Sequence, residues 1–184
     1  MELDQAIAGR RSVRKFTDQV VSDEEISALI EAARQAPSWA NTQVWEFIAV
    51  RDRGLIERVV GTFAEKNPAT KGSLGASVLI VACAKTGISG CYEGKDVTSL
   101  SNWYMFDLGM AVQNLCLKAH DMGLGTVVVG LMDHRACKKI LGVPEDREVV
   151  AVIPVGRPAD PGKSGPPRKE LAEILYRDTF GTAF

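Results

Sequence analysis

Four of the six residues from 10 to 15 are cations, Arg10, Arg11, Arg14 and Lys15, and Ser12 sets a hydroxyl among them. No acid lies between Asp4 and Asp18. Guanidinium groups offer planar, paired donors that match phosphate oxygens, and a serine adds a neutral donor. A solvated basic turn is the alternative for so short a run. A second acid-free stretch, 161–169, carries Lys163, Arg168 and Lys169. The formal charge over 184 residues is −1; with these seven cations set aside, 15 cations face 23 acids, a balance of −8. The positive charge is thus concentrated, which suits one small phosphate ligand. A duplex-DNA or membrane-surface binder calls for a larger basic excess. No GxxxxGK[ST] loop is present, so P-loop nucleotide hydrolysis is disfavoured.

A second constellation is PSWANTQVW, residues 37–45. Ser38, Asn41 and Gln43 each donate and accept, and they stand beside Trp39 and Trp45. That set suits a planar heteroaromatic ligand with amide-like edges, although Ser and Asn also serve ordinary turns. Other chemistry is scarce. The two histidines, His120 and His134, have no Cys or His at metal-ligand spacing, so no metal site is expected. The four cysteines show no CxxC and read as reduced, mostly buried thiols. A GxSxG elbow is absent. An enzyme so equipped relies on a cofactor.

The elements that must hold these groups are legible as periodic segments. Residues 2–9 read as a short helix and 22–36 as a longer one, with Ser22 and Glu25 forming a capping box and Pro37 as a stop. Residues 45–51 read as a strand, 54–66 as an amphipathic helix and 77–84 as a fully buried strand. A polar loop, 87–99, precedes the longest helix, about 100–122. Met105, Leu108, Val112, Leu115, Ala119 and Met122 form one stripe, while Phe106, Met110 and Leu117 lie off it. A helix apolar on more than one face is central or buried in an interface. Gly123 reads as a helix C-cap and 126–130 as a strand. A short helix, 133–141, a strand, 148–155, and a short amphipathic turn, 170–176, complete the chain. Four strands among helices imply an α+β or α/β layer architecture on a mixed sheet. No apolar run is long enough for a membrane span, and the first ten residues lack a signal-peptide core, so a cytoplasmic protein is expected.

In this order the motifs resemble the FMN-dependent nitroreductase family, in its short, minimal branch. RRSVRKF (10–16) is similar to the family's phosphate motif, and APSWANTQVWEFIAV (36–50) to its loop into the first strand. DLGMAVQNLCLKAHDMGLGTVVVG (107–130) and VVAVIPVGRP (149–158) resemble its central helix with the next strand, and its last core strand. The resemblance implies an α+β fold with a mixed central sheet flanked by helices. It implies one domain over 1–184 and an intertwined homodimer with FMN at the interface. The tail, about 170–184, would wrap the partner.

The resemblance assigns Arg10, Arg11 and Ser12 to the phosphate and ribityl chain, and Arg14 to the pyrimidine side of the flavin as an electrostatic stabiliser. Pro37, Ser38, Asn41 and Gln43 match the loop that reaches the flavin from the other subunit. In that loop Trp39 is bulkier than the usual small residue, and Val44 replaces the usual proline. Val129 and Gly130 match the strand end whose backbone N–H approaches flavin N5. Lys71 lies near a family lysine close to the flavin, and Arg168 and Lys169 match a basic pair that meets the phosphate. The implied activity is ping-pong hydride transfer from NADH or NADPH through FMN to nitroaromatic, quinone or other conjugated acceptors. The alternatives are a flavin or enone reductase, a dehydrogenase or dehalogenase on the same scaffold, or a non-catalytic FMN-binding redox module. A phosphate-ligand binder without flavin is a further alternative.

Overall fold

A computed structural model describes residues 1–162 and 165–184; Lys163, counted above in the second basic patch, lies outside the described residues. The helices are α1 (Leu3–Gly9), α2 (Asp23–Arg34), α3 (Arg53–Val60), α4 (Thr70–Leu74), α5 (Trp103–Asp121) and α6 (His134–Leu141). The strands are β1 (Trp45–Val50), β2 (Val78–Lys85), β3 (Cys91–Tyr92), β4 (Lys95–Asp96), β5 (Gly125–Thr126) and β6 (Arg147–Gly156). This is an α+β fold.

The main sheet has the order β1-β2-β6-β5, and every ladder in it is antiparallel. Its expected mixed character reduces to one parallel bridge, Ser12 to Thr126. Both faces of the sheet are covered, so the strand VLIVACA is apolar throughout rather than alternating. Val78, Ile80, Ala82 and Ala84 face α2 and α5, through Leu29, Ala33, Leu108, Ala111 and Leu115. Leu79, Val81 and Cys83 face α3 and α6, through Ile56, Val59, Val60 and Cys137. Ala82 pairs with Ala151 and Cys83 with Val149, so Val150 is a bulge that re-aims β6 between the two layers.

Local chemistry sets the boundaries. Ser22 Oγ accepts from Glu25 N–H, and Glu25 accepts from Ser22 N–H, completing the expected capping box of α2. The third helix stops at Val60, not near 66. Gly61 caps it, and Phe63 turns away to bridge Met132. The long helix spans Trp103–Asp121, inside the expected 100–122. One of its faces is buried through Leu108, Val112, Leu115 and Ala119, whereas Met105, expected on that stripe, is half exposed, and Phe106 is 61% exposed. Of the expected strand TVVVG, 126–130, only Thr126 joins a ladder, paired through β5 with Gly125 before it, and a single bridge from Val129 to Val152 follows. Within the 87–99 loop, β3 and β4 form a small hairpin around Glu93 and Gly94. Residues 166–184 are exposed except for Tyr176, which is half-buried, and they carry Leu171, Ile174, Phe180 and Phe184 into solvent.

Candidate active site

The segment after α1 is extended and clamped along its length. Ser12 bridges Thr126, and Val13 N–H donates to Thr126 O at 2.8 Å. Phe16 bridges Pro158, Thr17 N–H donates to Arg157 O at 2.9 Å, and Lys15 O accepts from Ala159 N–H at 3.0 Å. The helix α4, which carries Lys71, lies directly against this segment. A Cβ at Gly72 would overlap the Arg14 carbonyl, so only glycine permits the approach. Lys71 is thereby held beside Arg14. Gly165 packs on the Arg11 side chain, a Cβ there falling 2.7 Å from Cδ. Arg168 and Lys169 follow within about 11 and 14 Å of chain reach. The structure thus gathers Arg10, Arg11, Ser12, Arg14 and Lys71, with the second basic patch starting nearby.

Their electrostatic states differ. Arg11 Nη1 donates to Ala8 O at 2.6 Å and Arg10 O at 2.9 Å, closing the C-terminal end of α1. Lys15 pairs with Asp160 at 3.5 Å. Arg10, Arg14, Lys71, Arg168 and Lys169 have no hydrogen-bond or ion-pair partner among the described residues, and the last four are exposed. Burial pushes the nearby Cys116 thiol up, opposed by its hydrogen bond to Thr126 and by the charge of Arg10. Cys91 donates to Asp96 at 3.3 Å; that bond, with some burial, holds its proton on. Burial pushes Cys83 up to about 12 and Cys137 up to about 11, so both are inert thiols.

The loop after α2 is a strained clamp. Ala40, Asn41 and Gln43 have φ of 45°, 57° and 48°, the left-handed region that costs a non-glycine residue about 1–2 kcal/mol. Such strain persists only where surroundings over-determine it, and it concentrates at ligand sites. Here Ser38 Oγ accepts from Gln43 N–H at 2.9 Å, and Trp39 N–H donates to Asp107 Oδ1 at 3.1 Å. The Asn41 and Gln43 side chains stay exposed, next to exposed Pro37. Val44, where the related pattern has proline, is buried in the core.

Helix α5 separates this loop from the cations. Asp107 lies under the loop, whereas Cys116 feels Arg10 and His120 packs on Gly9. Nine to thirteen residues of helix place the two constellations about 14–20 Å apart along its axis. Within one chain they are not brought together. Between them on the outer face of α5 lies a groove of about 490 Å³, lined by Pro37, Met105, Phe106, Gly109, Met110 and Gln113 among others.

The turn after β5 corrects one expectation. Val129 N–H donates to Val152 O at 2.9 Å and Val129 O accepts from Val152 N–H, so Val129 faces the sheet and presents no free donor. Gly130 is exposed, and its N–H has no partner among the described residues. Its carbonyl accepts from Met132 N–H and lies 3.0 Å from His134 Nε2; His134 Nδ1 lies 3.0 Å from Val149 O. His134 thus braces the turn. No group of three His, Cys, Asp or Glu able to hold a metal occurs among the described residues.

Two residues here escape sequence reasoning. Gly72 carries no local signal. Asp107 does: it is the sole acid of α5 before Asp121. Gly72→Ala is expected to push Arg14 out of place, lowering stability by about 1–3 kcal/mol in urea unfolding. Anion affinity should fall with it, whereas Gly54→Ala on α3, where a Cβ meets nothing closer than 3.4 Å, should leave stability within about 1 kcal/mol. Equal stabilities would show that α4 does not need this approach.

Comparison with known proteins agrees with this architecture. A family model described as the nitroreductase family matches residues 7–157. A crystal structure of a nitroreductase family protein from Clostridium novyi NT is 30% identical, with a TM-score of 0.79, covering 100% of this chain and 97% of that one. An Archaeoglobus fulgidus protein whose name joins NADH dehydrogenase with NAD(P)H nitroreductase is 34% identical over 158 residues, 82% of each chain. The FMN reductase (NADPH) of Bacillus subtilis is 26% identical, covering 96% of this chain and 73% of that protein.

Proposed function

The chain belongs to the nitroreductase family, and we propose that its cationic segment and strained loop are the two halves of an FMN site completed between two copies. It is an FMN-dependent NAD(P)H oxidoreductase. The observation that carries the site reading is the clamped segment 10–14 held against Lys71, with the Arg10, Arg14 and Lys71 cations free of protein partners among the described residues. Unpartnered cations on a fixed backbone fit a dianionic phosphate and an electron-rich ring edge.

When bound, FMN would supply the two-electron chemistry that links NADH or NADPH as donor to a nitroaromatic, quinone or other conjugated acceptor. The chain's residues bind and orient. Arg10 and Ser12 hold the phosphate and ribityl hydroxyls, Arg11 adds the donors left over from α1, and Arg168 and Lys169 close on the phosphate from the tail. Arg14 and Lys71 set positive charge at the pyrimidine edge, where preorganised charge stabilises an electron-rich ring. The free N–H of Gly130 serves the N5 side. Ser38, Asn41 and Gln43 approach from the other copy, with Pro37 and Trp39 bounding the ring.

The same reading calls for a homodimer. The two half-sites lie at opposite halves of α5, and antiparallel pairing of two α5 helices through the Phe106 face would bring each loop to the other's cations. The accessible surface, 11124 Å², exceeds the roughly 8,700 Å² of a compact monomer of 19.9 kDa. The exposed tail, about 170–184, accounts for part of that excess, and we read it as wrapping the partner around the single domain of 1–184. No helix among the described residues is long and apolar enough to cross a membrane. A cytoplasmic setting belongs to this reading and accords with four free cysteines.

The deciding experiment is an anaerobic titration. Purified protein should be yellow, release FMN on denaturation and bleach with one equivalent of NADH or NADPH per flavin. A protein that stays colourless with added FMN would overturn the reading. One that binds FMN yet never bleaches is a binding module. Which acceptor reoxidises the bleached protein fastest then separates nitro, quinone and flavin reductase roles.

A further inference from the structure

Asp107 is a buried carboxylate to which the reading above gives no part. It is 1% exposed and stands next to buried Leu108 on α5. Its partners among the described residues are two donors: Trp39 N–H at 3.1 Å on Oδ1, and the Ser89 hydroxyl at 2.7 Å on Oδ2. Ser89 is itself 4% exposed. An apolar residue would fill this place without the desolvation penalty of a carboxylate. The carboxylate therefore has its effect through what it holds. Its two donors come from segments fifty residues apart. Trp39 opens the left-handed run of the loop after α2. Ser89 stands near the start of the 87–101 stretch between β2 and α5, where a Cβ at Gly90 would run into the Trp103 ring, so the loop is pinned on the first residue of α5. Beyond that point the loop exposes Tyr92, Val97 and Leu100 to solvent.

We propose that Asp107 is a positioning residue that fixes the 38–43 loop and ties it to the 87–101 loop, so that the cofactor side and the acceptor side share one anchor. The proposal rests on the reading of the 38–43 loop as facing the flavin.

Three variants and one exchange measurement test it. Asp107→Asn keeps an acceptor for Trp39 N–H, and the Ser89 hydroxyl can turn to accept from the new amide; FMN Kd and acceptor KM should stay within threefold of the parent. Asp107→Ala should raise FMN Kd at least tenfold and change the visible circular dichroism of the flavin. Ser89→Ala should leave FMN Kd within twofold while raising acceptor KM at least threefold, a split that general loosening of the fold does not produce. A folded Asp107→Ala protein with the parent's FMN Kd and flavin dichroism overturns the proposal, as does Ser89→Ala with unchanged acceptor KM. If Asp107→Ala does not fold, amide exchange in the unaltered protein decides: Trp39 N–H should exchange slowly, and free exchange overturns the anchor. The exchange measurement applies with or without flavin, so failure of FMN to bind removes the function reading and leaves the anchor separately testable.

Discussion

Arg10→Ala is expected to weaken FMN binding by about 10- to 150-fold, the equivalent of about 1.5–3 kcal/mol for a lost charge-assisted hydrogen bond. The size follows from what surrounds the residue. The Arg10 guanidinium has no protein partner among the described residues, so its donors are available to an anion. The backbone beyond it is fixed by the Ser12–Thr126 bridge, by Val13 N–H on Thr126 O and by the bonds of Lys15 and Thr17. Removing the side chain therefore leaves the segment in place and isolates the charge. Arg58→Ala, an exposed cation on α3, is the control and should leave affinity unchanged. Titration of flavin-free protein with FMN, followed by quenching of flavin fluorescence, measures both. A parent-like Kd for Arg10→Ala would place the phosphate elsewhere. Raising the salt should also narrow the gap between parent and variant, because added ions screen the exposed part of this interaction.

The second large effect is expected from Phe106→Asp. Phe106 stands 61% exposed on the outer face of α5, its ring edge-on to Trp103 at 5.8 Å. Burying a phenylalanine contributes roughly 1.5–3 kcal/mol, and a two-fold dimer loses this twice and gains two buried carboxylates. The dimer constant should rise by more than about a thousandfold, a shift of roughly 4 kcal/mol or more. Sedimentation velocity should then show a protein near 19.9 kDa in place of one twice that mass. Flavin should be lost with the partner, although Arg10 and Lys71 are untouched. A parent protein that is monomeric with full flavin occupancy would remove the premise. A variant that stays dimeric would show that another surface makes the contact.

How far the chain reveals itself depends on the range of each interaction. The start of α2 is legible because Ser22 and Glu25 are three residues apart and satisfy each other. Likewise β2 is legible because burial on both faces demands an unbroken apolar run. The end of α3 is not, since Leu55 to Phe63 keep a helical rhythm while Phe63 is claimed by Met132, far along the chain. Helix α4 is five residues with no apolar stripe, and what places Lys71 beside Arg14 is the approach of Gly72 to the Arg14 carbonyl, a contact across 58 positions. The same holds within the site. The cations and the polar loop are visible as residue types at close spacing. That Val129 spends its N–H on β6 and leaves Gly130 free depends on a bridge to Val152. Asp107 looks like one polar residue on an apolar helix until Trp39 and Ser89 are seen to meet on it.

The left-handed run at Ala40, Asn41 and Gln43 has a consequence for how this loop can change by mutation. Glycine adopts such φ values at no steric cost, so Ala40→Gly relieves strain in the folded chain. It also enlarges the unfolded ensemble and the set of shapes the folded loop can visit. The two effects oppose each other in stability and reinforce each other in loosening the loop. A drift toward glycine here is therefore nearly silent to any selection for folding, yet it spreads Asn41 and Gln43 over many poses. On the reading of this loop as facing the flavin, Ala40→Gly is expected to be felt in turnover before it is felt in stability.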